Sequence, residues 1–142
     1  MTEPAKSFDL AADEYERTRA GYPAELLDGL PVSPDADVLD LGAGTGKLTR
    51  VLVRRYAHVT AVEPLDRMRA ILERVVPEAE ALPGSAERIP LDDASVDAVF
   101  AAQAFHWFDH DRALPEIARV LRPAGVLALV WNGPDESRPS PL

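Results

Sequence analysis

The segment VLDLGAGTGKLT, residues 38–49, constrains the fold of this chain more than any other part of its sequence. An apolar run ends at Asp40 and Leu41, and glycines then follow at alternate positions. Glycine loses more backbone freedom on folding than any other residue, so three glycines this close together are costly unless the backbone requires them. The pattern predicts a buried strand that turns sharply into a helix.

Apolar runs and amphipathic stretches alternate along the rest of the chain. Strands are predicted at residues 37–41, 58–62, 80–82, 95–102 and 126–131, and helices at about 48–56, 65–75 and 111–121. The strands are almost continuously apolar, which is typical of a parallel sheet covered by helices on both faces. We therefore expect an α/β fold, with Pro115 in the first turn of the last helix and with Pro123 and Gly125 separating that helix from the last strand.

Helical spacing of apolar residues also predicts which side chains are buried. The helix after the glycine turn is expected to bury Leu48, Val51, Leu52 and Tyr56. The following helix is expected to bury Leu65, Met68, Ile71, Leu72 and Val75. The first thirty residues are expected to form two helices, one through Tyr15 and, after a break at Gly21 and Pro23, one through Leu26, Leu27 and Leu30.

The composition narrows the choice of partners. The chain has 142 residues, a formal net charge of −9 and no cysteine. The acidity argues against a nucleic-acid partner, because affinity for phosphate backbones comes from clustered lysine and arginine. The lack of cysteine excludes disulfides and thiolate chemistry. With no bilayer-spanning apolar run and no signal peptide, we expect a cytoplasmic protein with a small-molecule partner and no membrane partner.

The histidines give little support for a metal site. His106 and His110 have the four-residue spacing of a helical zinc pair, but no glutamate follows His106 as it does in such pairs. The sequence therefore predicts no metal ligand.

Two other uses of a glycine-rich turn fit these residues poorly. A phosphate-binding P-loop needs a glycine five positions before its Gly-Lys pair and a serine or threonine after it, whereas this chain has Leu41 and Leu48 at those places. A dinucleotide-binding turn needs a small third residue for helix packing, where this chain has Lys47. A nicotinamide-dependent oxidoreductase is therefore disfavoured.

The complete motif, Asp40-Leu41-Gly42-Ala43-Gly44-Thr45-Gly46, closely resembles motif I of the class I S-adenosylmethionine-dependent methyltransferases. The resemblance implies that the glycines let the methionine part of the cofactor lie against the backbone, and that amides at the helix N-terminus face its carboxylate. It assigns cofactor binding to Asp40, Gly42, Ala43, Gly44 and Gly46. The alternative is a turn that only links strand to helix.

Glu63 ends the next predicted strand, about 20 residues beyond the glycine turn. An acid at that place suits the two hydroxyls of a ribose, and dehydrogenases use the same device. Glu63 therefore indicates a ligand that contains a ribose but does not identify which cofactor it is. The alternative is that Glu63 is a solvated loop carboxylate. Under the resemblance, Glu63 and Pro64 bind S-adenosylmethionine.

The resemblance extends over about residues 8–132. The segment Gly84-Ser85-Ala86-Glu87 is similar to the one that contacts the adenine in this family, which assigns Ser85, Ala86 and Glu87 to the cofactor. The run QAFHWFD, residues 103–109, is similar to small-molecule methyltransferases that include the trans-aconitate methyltransferases. Gln103, at the carboxyl end of its strand, is assigned to the methionine portion.

Two departures from the family pattern are present. Alanine stands at position 20, before Gly21-Tyr22-Pro23, where relatives have proline. Pro123-Ala124-Gly125 stands where they have Pro-Gly-Gly. We expect both departures to be compatible with cofactor binding.

Three side chains have two interpretations each. His106 is a candidate general base for an amine, hydroxyl or carbon acceptor, whereas a carboxylate acceptor would need no base. The alternative is that His106 packs with Trp107 beneath the pocket. We favour this alternative because no acceptor is visible. Tyr15 and Arg19 lie four residues apart on one helical face. By resemblance they cap the cofactor's carboxylate from a lid, and otherwise they belong to an ordinary exposed helix.

The resemblance implies a Rossmann-like, doubly wound parallel sheet with strand order 3-2-1-4-5. We expect a helical lid at 1–30 and a cofactor-binding domain at 31–132. The tail at 133–142 is expected to be disordered, because its proline and serine residues cannot bury enough surface to order it. The sequence stops before the antiparallel strand pair usual in such domains, so we expect a short or truncated enzyme whose last strand forms an open edge. That edge either pairs in a homodimer or stays prone to aggregation.

The expected function is methyl transfer from S-adenosylmethionine to a small-molecule acceptor, with S-adenosylhomocysteine as the product. The alternative is a cofactor-binding module or truncated fragment without catalytic activity of its own.

Overall fold

A computed structural model describes residues 22–102 and 107–130 of this chain. Its five strands form one parallel sheet, which confirms the predicted α/β class. The strands are β1 Asp37–Leu41, β2 His58–Val62, β3 Glu80–Leu82, β4 Val96–Ala102 and β5 Leu121–Val130. The helices are α1 Thr49–Arg55, α2 Asp66–Val75 and α3 His110–Val120, with a 3₁₀ helix at Ala24–Leu27.

The strands lie in the order β3-β2-β1-β4-β5, as predicted. The chain builds the sheet outwards from β1 in one direction and then returns to add β4 on the other side. Asp40 of β1 lies level with Ala61 of β2 and Phe100 of β4. In open α/β sheets ligands bind outside the carboxyl ends of the strands at such a reversal. The fold therefore predicts a ligand site at the carboxyl edge of β1 and its neighbours.

Alternate residues of β1 face the two covered sides of the sheet, because successive side chains of a strand point to opposite faces. Val38 packs into one core cluster with Leu52 of α1, whereas Leu39 and Leu41 belong to a second cluster built on α3. The predicted buried face of α1 is confirmed, since these four residues are all buried: Leu48, Val51, Leu52 and Tyr56. By the same alternation Asp40 lies on the side of α1.

The described segment before β1 contains less helix than predicted. Residues 24–27 make a single 3₁₀ turn in which only Leu27 is buried, so the prediction of a helix through Leu26, Leu27 and Leu30 is wrong. Gly29 has a φ of 86° just after this turn, which no helix can continue through. The predicted helix through Tyr15 lies outside the described residues.

Helix α2 buries Ile71 and Leu72 as predicted. Leu65 does not belong to that face, because it precedes the helix in an extended conformation and its side chain is 52% exposed. The prediction that Leu65 is buried is therefore wrong. Among the described helices, none combines the length and the apolar character needed to cross a membrane.

Helix α3 begins at His110, which places Pro115 in its second turn. The prediction of Pro115 in the first turn is wrong. A proline at this depth removes one backbone hydrogen bond. The helix continues because one face is packed against the sheet, where Ala113, Ile117 and Val120 are buried.

Strand β5 begins directly after α3, at Leu121, and not at the predicted position 126. Leu121 pairs with Val96, and pairing resumes with Val126 opposite Ala98 after an irregularity in the register. The proline in the unpaired part is tolerated because β5 is an edge strand in the described sheet. Pro123 and Gly125 therefore end the helix as predicted, but they lie in the irregular first part of β5 and not in a separate loop.

Candidate functional site

The glycine turn is fastened to the end of β2. The backbone N–H groups of Gly42 and Ala43 both donate to the carbonyl oxygen of Val62, at 2.9 and 3.1 Å. Gly42, Gly44 and Gly46 have φ angles of 72°, 61° and 95°, a region that favours glycine. The glycine turn therefore lies beside Glu63, the residue that follows Val62.

Glu63 joins the glycine turn to the segment that leads into α2. One carboxylate oxygen, Oε1, accepts from the backbone N–H of Gly44 at 2.7 Å, and Oε2 accepts from that of Leu65 at 3.0 Å. Its own carbonyl oxygen accepts from Nη1 of Arg69 at 2.9 Å. The side chain is buried, so the alternative of a solvated loop carboxylate does not describe it. Each carboxylate oxygen keeps capacity for a further donor.

Asp40 links β1 to the first residue of α1. Its Oδ2 accepts from the hydroxyl of Thr49 at 2.6 Å, while its buried Oδ1 has no hydrogen-bond partner among the described residues. Burial raises the pKa of this carboxyl to about 7; the Thr49 hydrogen bond opposes the rise and the charge of Glu63 adds to it. A buried acceptor without a donor is unusual in native proteins. Asp40 is therefore suited to a ligand that brings a hydrogen-bond donor or positive charge.

The second and third glycines of the motif face different surroundings. A Cβ atom at Gly46 would lie 2.8 Å from Leu72 Cδ1 and 3.0 Å from Val76 Cγ2, whereas one at Gly44 would meet nothing nearer than Met68 Cε at 3.7 Å. Gly46 is thus required for the packing of α2 against the turn. Gly44 leaves space at the sheet edge, which is where a ligand can approach the backbone.

The loop after β3 folds into a tight turn over residues 84–88. Ser85 and Arg88 form an isolated bridge, and Ala86 is buried in the core on the α3 side. The carboxylate of Glu87 accepts from the backbone N–H of Asp109 at 2.7 Å. This loop follows β3, the neighbour of β2, so it lies at the same carboxyl edge as Glu63.

Comparison with known proteins decides the family. The sequence profile described as methyltransferase domain matches residues 39–129. This chain belongs to that methyltransferase family. An uncharacterised methyltransferase from Mycobacterium tuberculosis is 56% identical over 130 residues, which are 92% of this chain and 54% of that protein.

Two further relatives of this methyltransferase domain extend the comparison. A trans-aconitate 2-methyltransferase from Azoarcus sp. is 38% identical over 117 residues, or 80% of this chain and 45% of that protein. The crystal structure of a SAM-dependent methyltransferase from Aquifex aeolicus superposes with a TM-score of 0.75 at 26% identity, over 87% of this chain and 70% of that one. The family prediction is confirmed, and the domain spans about half the length of the curated relatives it matches.

The methyltransferase domain brings some of the predicted site residues into direct contact. Asp40, the glycine turn and Glu63 lie together at the carboxyl edge, where Glu63 accepts from the N–H of Gly44 and Asp40 accepts from the hydroxyl of Thr49. Pro64 is exposed beside them. Four predicted residues lie outside the described part of the chain: Tyr15, Arg19, Gln103 and His106.

Two exposed apolar side chains near this edge depart from the sequence-based expectations. Trp107 is 78% exposed, so the interpretation that it packs beneath the pocket is wrong. Leu65, two residues after Glu63, was assigned to the buried face of α2 and not to the site. Its position directly after the predicted pair Glu63-Pro64 is the signal that identifies it as a candidate site residue.

Proposed function

We propose that this chain carries out methyl transfer from S-adenosylmethionine to a small-molecule acceptor. The observation that carries the proposal is the group of residues at the switch point of the sheet, in which Glu63 holds the backbone of Gly44 and Asp40 keeps a buried oxygen without a donor. When bound, the cofactor supplies a methyl group on a sulfonium centre, and the protein mainly has to hold the acceptor at near-attack distance.

The residues present fit such a cofactor. Gly44 leaves open space beside the backbone, which suits the approach of the methionine portion. Glu63 has acceptor capacity left for ribose hydroxyls. Asp40 suits a cationic group such as the ammonium of the methionine portion, and the exposed side chain of Leu65 offers apolar surface for a base. Gly42, Ala43 and the loop of Ser85, Ala86 and Glu87 complete the proposed set.

The acceptor class that we propose is a small carboxylic acid. The trans-aconitate 2-methyltransferase of Azoarcus sp. supports this class, since its substrate name denotes a carboxylic acid. A carboxylate is already deprotonated at neutral pH, so its methylation needs no general base. If the acceptor is instead an amine, hydroxyl or carbon acid, we assign the base to His106.

Binding of the cofactor is tested by titration calorimetry with S-adenosylmethionine and S-adenosylhomocysteine, and with NAD as the control ligand. We expect dissociation constants in the micromolar range, about −8 kcal/mol, for the two sulfur ligands and no binding of NAD. Glu63→Gln places an amide group against two N–H donors, and Gly44→Val fills the open space, so each variant is expected to weaken binding at least about tenfold. Glu73→Gln, on the exposed side of α2, is the matched control.

Catalysis is tested separately, with labelled methyl donor and a panel of small carboxylic acids, amines and phenols. Methylation of a carboxylic acid supports the proposed acceptor class. Cofactor binding without methylation of any acceptor would favour the alternative, a binding module without activity. Failure of both sulfur ligands to bind would overturn the proposed function for this chain.

We also infer that two copies pair through the open edge of β5. Among the described strands β5 pairs only with β4, and Leu129 is exposed on it. An apolar edge strand is a template for pairing with another chain. Light scattering after size exclusion should give a dimer that Leu129→Lys dissociates and that the control Leu114→Lys, on exposed α3 surface, does not. A monomer at all concentrations would contradict the pairing.

A further inference from the structure

We propose that Arg119, together with Glu116, is a positioning residue for the cofactor: it fixes the loop that carries Ser85, Ala86 and Glu87. Both residues lie on α3, at a distance along the chain from the glycine turn, and neither was assigned to the site from the sequence. The inference deepens the proposed function and rests on it, because contact between this loop and the cofactor is part of that proposal.

The guanidinium of Arg119 reaches from α3 to the backbone of residues 89–91. Nη2 donates to the carbonyl oxygen of Ile89 at 2.8 Å, and Nη1 donates to that of Leu91 at 2.8 Å. Nη1 also contacts Asp93 at 2.8 Å, whose side chain is largely exposed and adds little. The planar fork of arginine is suited to hold two carbonyl groups at once, which an ammonium on a flexible stem cannot do equally well.

Glu116 orients Arg119 and holds the same stretch of backbone. Its Oε2 accepts from Nε of Arg119 at 2.9 Å and its Oε1 from Nη2 at 3.0 Å. Oε1 also accepts from the backbone N–H of Ile89 at 2.8 Å. The Arg119 hydrogen bonds, and next the Ile89 N–H, hold the pKa of Glu116 below its ordinary value. The N–H and the carbonyl of Ile89 are therefore both held by this pair.

Pro90 transmits this hold to the cofactor loop. It lies between Ile89 and Leu91, whose carbonyl groups Arg119 binds. Its ring atoms Cδ and Cγ lie 2.7 and 2.9 Å from the position that a Cβ would take at Gly84. Gly84 directly precedes Ser85, so the proline ring is seated against the base of the turn. A shift of residues 89–91 would displace this contact first.

Within the loop, the backbone N–H of Arg88 donates to the carbonyl oxygen of Ser85 at 3.2 Å and that of Leu91 to the carbonyl oxygen of Ile89 at 2.8 Å. Against α3, the rest of the described loop has side-chain burial and one further link. Ala86 and Ile89 are buried in the cluster on that side, and Glu87 accepts from the N–H of Asp109. Burial of two small or medium apolar side chains is non-directional. Arg119 and Glu116 therefore supply the directional contacts that hold the backbone of Ile89 and Leu91 to α3.

The first test compares Arg119→Met with Arg122→Met as the matched control. Arg122 is also a partly exposed, ion-paired arginine, but its partners Asp37 and Asp97 lie at the amino edge of the sheet. At a temperature where circular dichroism shows both variants folded, we expect Arg119→Met to raise the dissociation constant of S-adenosylhomocysteine about tenfold. Arg122→Met should leave it within about twofold, and Arg119→Lys should lie between wild type and Arg119→Met.

Two readouts separate positioning from a general loss of stability. S-inosylhomocysteine differs from S-adenosylhomocysteine only in the base, so loosening of the loop should reduce the preference for the adenine ligand in Arg119→Met and not in Arg122→Met. Pro90→Ala should weaken binding by the same route, and the double variant with Arg119→Lys should lose less than the product of the two single effects. These two variants carry the test if Arg119→Met does not fold.

Hydrogen exchange distinguishes failure of this inference from failure of the proposed site. In the wild type, S-adenosylhomocysteine should slow amide exchange over residues 84–88. Without that protection, the proposed contact of the loop with the cofactor fails. With protection present, wild-type affinity in Arg119→Met, equal weakening in Arg122→Met, or independent effects of Pro90→Ala and Arg119→Lys would each overturn the positioning role.

Discussion

Asp40 couples the candidate site to pH. Its pKa rises from an ordinary value of 3.8 to about 7, first because it is buried. The folded protein therefore holds this proton more tightly than the unfolded chain does between those two pH values. Each unit of pKa corresponds to about 1.4 kcal/mol, so the contribution of Asp40 to the free energy of unfolding is complete below pH 3.8 and falls by about 4 kcal/mol as the pH rises through about 7.

The substitution Asp40→Asn should remove this dependence. An asparagine keeps an oxygen that can accept from the Thr49 hydroxyl, but it does not ionise. We expect its stability relative to wild type to increase by about 4 kcal/mol between pH 4 and pH 8. Urea denaturation of both proteins across that range gives the difference. Curves for the two proteins that stay parallel over the whole range would show that Asp40 does not titrate in this window.

Comparing Gly46 with Gly29 separates the cost of close packing at the glycine turn from the cost of a left-handed backbone. Both have positive φ angles, 95° and 86°, but a Cβ at Gly46 would press on Leu72 and Val76 whereas one at Gly29 would meet nothing within 4 Å. Gly29→Ala should cost about 1–2 kcal/mol from the left-handed backbone alone. Gly46→Ala should cost a further 1–3 kcal/mol, roughly, from overpacking. Urea denaturation measures both, and equal costs would exclude close packing as the reason for Gly46.

At the scale of a single element, strand β5 contains backbone strain in its irregular segment. Ala124 has a φ of 68°, at the position where the family pattern has glycine. Ala124→Gly should therefore raise the free energy of unfolding by about 1 kcal/mol. The control Ala128→Gly, in the paired part of the same strand, should lower it by about 0.5–1 kcal/mol. If thermal unfolding shows both variants destabilised alike, the left-handed residue carries no strain.

The elements also show where local patterns are sufficient. The bounds of β1, β2 and β3 agree with the predicted ones, because each is a short segment bounded by turn residues. The start of β5 and the place of Pro115 were predicted incorrectly. In both cases proline and glycine indicate a break locally, while packing of α3 and pairing with β4 keep the chain in regular structure.

At the scale of the whole molecule, an ion-paired cluster lies at the amino edge of the sheet, opposite the carboxyl edge that carries the proposed binding site. At the amino edge, Oδ2 of Asp97 accepts from the backbone N–H of Asp37 at 2.9 Å and from Nη1 of Arg122 at 3.0 Å. These contacts, first the Asp37 N–H, hold the pKa of Asp97 below its ordinary value. Asp97 therefore contributes stability at neutral pH that is lost as the pH falls through its lowered pKa.

Asp97→Asn should weaken the fold without changing cofactor affinity. We expect Tm at pH 7 to fall by roughly 3–6 °C, the shift that about 1 kcal/mol gives in a chain of this size. The difference from wild type should shrink in acid, where Asp97 is protonated, and calorimetric affinity for S-adenosylhomocysteine should stay the same. If the affinity of Asp97→Asn differs from that of wild type when both proteins are fully folded, the two edges are not independent.

The candidate site was partly predictable from the sequence. Asp40 was identified because its glycine motif resembles motif I of the methyltransferases, and Glu63 because it follows the next strand about 20 residues beyond the glycine turn. Leu65 was missed because its spacing also fits the apolar face of α2. Arg119 was missed because nothing near it along the chain indicates that its partners are at positions 89 and 91.

The sequence by itself determined the α/β class, the family and the acidic and glycine residues at the strand ends, since these depend on short-range patterns of apolar, acidic and glycine residues. Only the tertiary structure decided that Gly46 accommodates α2, that Glu63 holds the N–H of Gly44, and that Arg119 reaches the loop after β3. These contacts join residues far apart along the chain. Their geometry depends on strand order and on how each helix packs against the sheet, which no local pattern records.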